Sequence, residues 1–368
     1  MIVDCVCTVR CELGGNETHK KQLTKNKTEG DKMLTVYIEK LLRNEDLSAE
    51  EASSAMRAIM EGRADEIQTA AFLTALRMKG EKESEIAAFA DVMRSLALRI
   101  HPNVDRCVDV CGTGGDALNT FNISTTAAFV VACFVPVAKH GNRSVTSKCG
   151  SADVIEALGV NLSMPPEKIK ECIERVGIGF MYAPFHHKAM KNVADIRKRL
   201  RFRTVFNILG PLTNPAGATH QLIGVFSPDM TEKIAKVLRI LGLKKALVVH
   251  GAPGIDEVSI CGKTKISMLA DGRVETFFIS PEDFEMKTAS PREIEGGTVE
   301  ENVRILKNIL SNNDDSARKN VVILNAAAAL FAAESAESFQ EGIEMARYAI
   351  ESGEAMRKLR DFINFAAC

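Results

Sequence analysis

The sequence predicts an α/β protein in which a small all-helical domain precedes a larger α/β domain with a largely parallel central sheet. Three observations point to it. Apolar residues recur at helical spacing from Leu34 to about Leu98, with no strand-like run among them. From Arg106 onward, short β-branched runs alternate with helical segments, the texture of a parallel sheet with crossover helices. The chain has 368 residues, 46% of them hydrophobic, enough for two domains and a sizeable core.

The elements follow in order. Residues 1–32 are polar and rich in Lys and Thr, carry Gly14-Gly15 and lack apolar periodicity, so they read as a poorly ordered extension. Ser48-Ala49-Glu50-Glu51 has the spacing of a capping box. A second helix is predicted over 67–78 and stopped by Lys79-Gly80; a third covers 83–98 and ends before Pro102. Strands are predicted over 107–110, 135–139, 221–226, 246–250 and 265–269. Helices are predicted over 124–133, 165–176, 231–241 and 299–310, with 321–333 and 339–352 closing the chain. The division is 1–32, extension; 33–100, helical domain with a returning segment near 188–215; and 101–368, α/β domain.

The chemistry concentrates in four stretches. Val108-Asp109-Val110-Cys111 runs into Gly112-Thr113-Gly114-Gly115-Asp116, and a helix begins at about Asn122 or Ser124. Glycines let backbone N–H groups converge on an anion, and the N-terminus of the next helix adds donors and a favourable dipole. Asn122, Ser124 and Thr125 can cap that helix or bond phosphate oxygens. A tight turn explains a glycine loop alone about as well, and this one lacks the Lys of a Walker loop. Its combination with the capping hydroxyls favours phosphate.

The second stretch, Lys139 to Ser147 with Gly150-Ser151, should form a loop at the carboxyl end of a strand, where open α/β sheets bind ligands. Lys139 and Arg143 bring charge; Ser144, Thr146, Ser147 and Ser151 bring hydroxyls. Two donor-rich loops after two strands suit one polyanion site better than two solvated turns. The third is Asp256-Glu257 on a Gly/Pro turn. If the pair faces the phosphate site, a hard cation such as Mg2+ would have to bridge the like charges. The fourth is the basic cluster from Arg197, where one arginine could clamp a carboxylate in bidentate fashion.

Together, Gly112-Thr-Gly-Gly-Asp116, Asn122-Ile-Ser-Thr125, Lys139-His-Gly-Asn-Arg-Ser144, Arg203-Thr-Val-Phe-Asn-Ile-Leu-Gly-Pro-Leu-Thr-Asn-Pro215 and Asp256-Glu-Val-Ser259 resemble the anthranilate phosphoribosyltransferases, in order, over about 34–365. The resemblance implies a fold like the class II nucleoside phosphorylases, and a homodimer formed through the helical domains. It implies transfer of a phosphoribosyl group from phosphoribosyl pyrophosphate to anthranilate, as in tryptophan biosynthesis, with two Mg2+ ions per site. Donor-binding positions would be Gly112, Gly115, Asp116, Thr120, Asn122, Ile123, Ser124, Thr125, Lys139, His140, Gly141, Asn142, Arg143, Ser144, Val145, Thr146, Ser147 and Ser151. Metal ligands would be Ser124, Asp256 and Glu257; anthranilate contacts would be Gly112, Asn142 and Arg197. His140 and the pair His186-His187, read as the start of a helix, match residues near the acceptor channel, and the pair stays outside the core site. No residue is assigned as a catalytic acid or base, because the aromatic amine already carries its lone pair. Phe134, Arg201 and Glu285 stand where the family commonly has a small residue or Gly; a glycine with positive φ would leave the larger residue strained.

A formal net charge of −1 gives no global field for nucleic acid or an anionic membrane surface, and no apolar run is long enough to span a bilayer. These features, with no recognisable signal peptide, predict a cytoplasmic address. Seven of the ten cysteines, from Cys107 to Cys368, sit singly in apolar segments and read as small buried hydrophobes; Cys5, Cys7 and Cys11 lack the spacing of a zinc site. Two alternatives are a pyrimidine nucleoside phosphorylase, which shares the Lys-His-Gly-Asn-Arg-Ser loop, and a non-enzymatic nucleic-acid-binding relative. Gly210-Pro-Leu-Thr-Asn-Pro215 and the acidic pair argue against the first; intact donor positions and the net charge argue against the second.

Overall fold

The structure, a computed structural model, describes residues 34–115, 118–144 and 149–367. The extension, Cys5, Cys7, Cys11, Asp116, Val145, Thr146, Ser147 and Cys368 lie outside the described residues. Helix α1 covers 34–42 of the described chain. Helix α2 (Ala49–Met60) opens on a reciprocal capping box: Ser48 Oγ accepts from Glu51 N, and Ser48 N donates to Glu51 Oε2 at 2.8 Å. Helix α3 (Glu66–Lys79) is capped by Asp65 and ends at Gly80, whose φ of 85° suits a residue without Cβ. Helix α4 (Glu83–Leu96) stops two residues before the predicted end. A buried ion pair fixes this bundle. Lys79 Nζ lies 2.9 Å from Glu85, and Leu47 N and Lys82 N donate to the same carboxylate, each at 2.8 Å.

The sheet has seven strands: β1 (Val108–Gly112), β2 (Val137–Gly141), β3 (Ile178–Tyr182), β4 (His220–Gly224), β5 (Lys245–Gly251), β6 (Thr264–Ala270) and β7 (Arg273–Ile279). Their order is β3-β2-β1-β4-β5-β6-β7, parallel from β3 to β5 and antiparallel at β6 and β7. The sequence did not reveal β3, a five-residue run after Gly177, or β7, an edge strand with mostly half-exposed or exposed side chains. Gly112 of β1 pairs in register with Gly224 of β4, so two glycines meet at the carboxyl ends of the central strands.

Helices α5 (Ile123–Val131), α6 (Ser151–Ala157) and α7 (Pro166–Val176) connect the first strands. After β3 come the short α8 (Ala183–His186), then α9 (Lys191–Leu200) and α10 (Phe206–Leu209) before β4. Helix α11 (Met230–Ile240) links β4 to β5; α12 (Val299–Leu310), α13 (Ala317–Ala332), α14 (Phe339–Glu351) and α15 (Glu354–Ala366) follow the sheet. Contrary to expectation α14 does not close the chain: Gly353, at φ 77°, turns it into α15, whose Phe362 packs on Phe129 of α5 with ring centroids 5.7 Å apart.

Two apolar cores flank the sheet. One joins α5, α7 and α12–α15; the other joins the helical part, α11 and Val193, Ile196, Phe206, Leu209 and Leu212. The six described cysteines form no disulfide with one another, and burial pushes the Cys107 and Cys172 thiols to about 12, so these two behave as apolar side chains. No helix among the described residues is long and apolar enough to cross a membrane.

Candidate functional site

The site lies where β1, β2, β4 and β5 end. Thr113 N donates to Gly224 O (2.9 Å), and Phe226 N donates to Thr113 Oγ1 (3.1 Å), tying the glycine loop to the end of β4. Gly114 N donates to Asp256 Oδ2 at 2.7 Å, which brings the acidic pair to the loop. Ser124 N, in the first turn of α5, donates to Glu257 Oε1 at 3.2 Å. The two carboxylates, far from the loop in sequence, thus face the glycine turn and the helix N-terminus that follows it.

Their environment suits a hard cation. Asp256 is buried, and burial pushes its carboxyl above the usual range, opposed by the bond from Gly114. No group of three or more His, Cys, Asp or Glu gathers at metal-binding distance among the described residues. A cation at two carboxylates would need further oxygen ligands. Mg2+ binds in this way, and Zn2+ with its tetrahedral N/S preference does not.

Lys139 is not on the loop, contrary to the expectation. It lies inside β2, buried, with Nζ donating to Val110 O (2.6 Å) and 3.4 Å from Ser124 Oγ. Burial lowers its pKa, opposed by Asp109, Cys111 and Glu257. Asp109 is fully buried on β1; burial raises its pKa, and Oδ1 accepts from His140 N at 3.2 Å. The sequence reading gave Asp109 no role, although one carboxylate in an otherwise apolar strand was the available signal.

The second loop is held differently from the expectation. Arg143 forms ion pairs with Asp153 (3.0 Å) and Glu156 (2.7 Å) of α6 and stands over the Tyr182 ring, so its guanidinium is turned toward that helix. Ser144 N and Gly150 N both donate to Asp153 Oδ2, and Ser151 Oγ donates to Asn142 O. Asn122 stands at the N-cap of α5 without a capping bond; Nδ2 donates weakly to Cys149 O (3.4 Å), and Oδ1 is buried without a partner. The side chains of Ile123 and Thr125 point into the interior, and the Thr125 hydroxyl has no partner there. Thr120 bridges to Glu295.

On the acceptor side, Arg197 of α9 is half-buried, packs over Phe206 at 5.5 Å and has no carboxylate partner among the described residues. Burial lowers its pKa, a cost that an incoming carboxylate would offset. Among the described residues, no direct bond joins Arg197 to the other site residues. His186 ends α8, and His187, its C-cap, is also the N-cap of the 3-10 turn (Lys188–Met190) that leads into α9; both are buried. His186 Nδ1 lies 2.7 Å from Leu98 O, and the rings of His187 and His140 are 5.2 Å apart. Burial holds all three imidazoles neutral, His187 down at about 4, and each Nε2 lacks a partner.

Phe134 avoids positive φ, whereas Arg201 (56°) and Glu285 (57°) adopt the left-handed conformation that the usual glycines would favour. The local shape is therefore kept and strained.

A helical bundle beside an α/β domain, with glycine turns and paired carboxylates at the carboxyl ends of the central strands, is the build of a glycosyl transferase. Residues 104–356 match the a/b domain of the glycosyl transferase family, and residues 35–97 match its helical bundle domain. The chain is 50% identical over 334 residues to an anthranilate phosphoribosyltransferase of Acetivibrio thermocellus, covering 90% of this chain and 96% of the relative. It is 51% identical over 333 residues to that of Symbiobacterium thermophilum, covering 90% and 97%. The crystal structure of the Thermus thermophilus enzyme superposes with a TM-score of 0.86 at 41% identity, covering 90% of this chain and 99% of that one. The Saccharomyces cerevisiae enzyme, in complex with PRPP and Mg, superposes at 0.83 with 29% identity, covering 90% and 97%. The chain belongs to the anthranilate phosphoribosyltransferase family.

Proposed function

We infer that the protein transfers the 5-phosphoribosyl group of phosphoribosyl pyrophosphate to the amine of anthranilate. The observation that carries this reading is the convergence of Asp256 on Gly114 and of Glu257 on Ser124, an acidic pair set against a phosphate-type loop. The C–N bond forms at the anomeric carbon as its C–O bond to pyrophosphate breaks, and the amine proton leaves to solvent. Charge builds on the departing polyanion and on the ribose, so the protein's contribution is electrostatic and positional. Two Mg2+ ions, held by Ser124, Asp256 and Glu257, would supply positive charge against the leaving pyrophosphate. Backbone amides of the glycine loop, with Gly112, Gly115, Asp116 and Asn122, hold the donor together with the loop 140–147 and Ser151, while the Lys139 and Arg143 side chains, engaged with Val110 O and with Asp153 and Glu156, brace the strand end and the loop. Arg197 receives the anthranilate carboxylate, and Gly112 and Asn142 complete its seat. The neutral Nε2 atoms of His140 and His187 suit a wall that accepts N–H groups without adding charge.

The same reading takes 33–100, with the returning segment near 188–215, as the helical domain and 101–368 as the α/β domain. Exposed Val36, Leu42, Ile67 and Met78 on the helical part support pairing of two copies there. A cytoplasmic setting suits thiols that stay reduced. The test is loss of anthranilate fluorescence with phosphoribosyl pyrophosphate and Mg2+. Chelator, or Asp256→Ala with Glu257→Ala, should abolish it; undiminished turnover by the double variant at saturating donor would overturn the assignment.

A further inference from the structure

We propose that Arg203 is a positioning residue that holds the glycine loop ready for the donor and ties it to the acceptor helix α9. The inference rests on the donor-loop reading above. Gly114 (φ 66°) and Gly115 (φ 81°) are both left-handed, and a Cβ on Gly114 would meet nothing within 4 Å. Among the described residues, polar anchors hold this loop. Thr113 is anchored to Gly224 and Phe226, and Gly114 to Asp256. The remaining anchor is Arg203, whose Nη2 donates to Gly115 O at 2.6 Å while its guanidinium lies 4.1 Å from the centroid of the Phe226 ring.

Two physical consequences follow. A loop that binds a polyanion through N–H groups must keep its carbonyls turned away, because their negative ends repel phosphate. A permanently charged guanidinium, stacked on an aromatic face and so restricted in its own rotamers, is the partner that keeps the Gly115 carbonyl so turned. Arg203 also follows Arg197 in the same segment, after the left-handed turn at Arg201. Its bond to Gly115 joins the segment that carries Arg197 to the glycine loop.

The experiment compares wild type with Arg203→Ala and Arg203→Lys. Calorimetric binding of phosphoribosyl pyrophosphate with Mg2+ to the wild type comes first; its absence would overturn the donor-loop reading itself. Given wild-type binding, Arg203→Ala should raise the donor KM about tenfold, the size expected for one charge-assisted hydrogen bond. kcat should fall less than KM rises, and the melting temperature should stay near that of wild type, since Arg203 is exposed. Arg203→Lys, which keeps a charged donor, should recover most of the loss. A donor KM in Arg203→Ala within twofold of wild type would refute the proposal. So would a loss that tracks a fall in melting temperature and is as large in Arg203→Lys.

Discussion

Gly224→Ala adds one methyl group where β4 meets the acidic turn. A Cβ at Gly224 would run into the backbone of Asp256: its carbonyl group would lie well inside contact distance and its Cα at 3.0 Å. No rotamer relieves this, because the obstacle is main chain. To reach an ordinary separation of about 3.5 Å, the Asp256 carbonyl must retreat by about 2 Å. Overpacking of a rigid site costs about 1–3 kcal/mol of stability. The larger effect should be functional, since Asp256 also accepts from Gly114. A displacement of ~1 Å at a positioned group costs about 100-fold in rate. Gly224→Ala should therefore fold, melt earlier than wild type, lose about 100-fold in kcat/KM and need more Mg2+ for half-maximal rate. Anthranilate fluorescence loss across a Mg2+ titration, alongside a thermal melt, reads all of these. Turnover within threefold of wild type at the same Mg2+ requirement would refute the reasoning.

Arg201→Gly and Glu285→Gly should each stabilise the protein by about 0.5–1 kcal/mol in denaturant titrations, because both exposed residues hold left-handed backbone; lower midpoints would count against the strain. Glu85→Ala should cost about 1–3 kcal/mol for each of the two backbone donors it leaves unpaired, while Lys79 keeps Asp46 as its partner, and a total loss under about 1 kcal/mol would count against that network. His140 and His187 are held neutral with depressed pKa values, so kcat/KM for anthranilate should be flat between about pH 6 and 8. Because the unfolded chain binds those protons at higher pH than the folded one, stability should fall as pH drops from about 6.5 toward 4; a histidine-dependent inflection in kcat/KM near pH 6.5 would contradict the assignment.

What the sequence made legible was governed locally. Ser48 and Glu51 cap α2 within one turn, Gly80 ends α3, and the glycine loop follows β1 because its residues adjoin the strand. The acidic pair was recognisable as chemistry, but that Asp256 meets Gly114 depends on the juxtaposition of β1, β4 and β5. Arg143 was expected to face phosphate. It turns instead to Asp153 and Glu156 of α6, a short helix with little periodicity to announce it. The burial of His186 and His187 is set partly by a carbonyl at Leu98, distant in the chain, and the need for glycine at 224 arises from a backbone that passes it much later. Strand β7 was hidden for another reason: an edge strand with polar and exposed residues lacks the apolar signature of the central ones.

The core that unites the helical part with one sheet face has a consequence for how such proteins can be recombined. Leu34, Phe72 and Phe89 share their apolar surroundings with Val193, Phe206 and Leu212, and with Ile223, Val225 and Val248 of the sheet. A chimaera that exchanges only residues 34–97 with a relative would import a surface fitted to another returning segment and another sheet. The unit that can be transplanted is thus discontinuous: the first helices must travel with residues 191–212 and with matching side chains on β4 and β5.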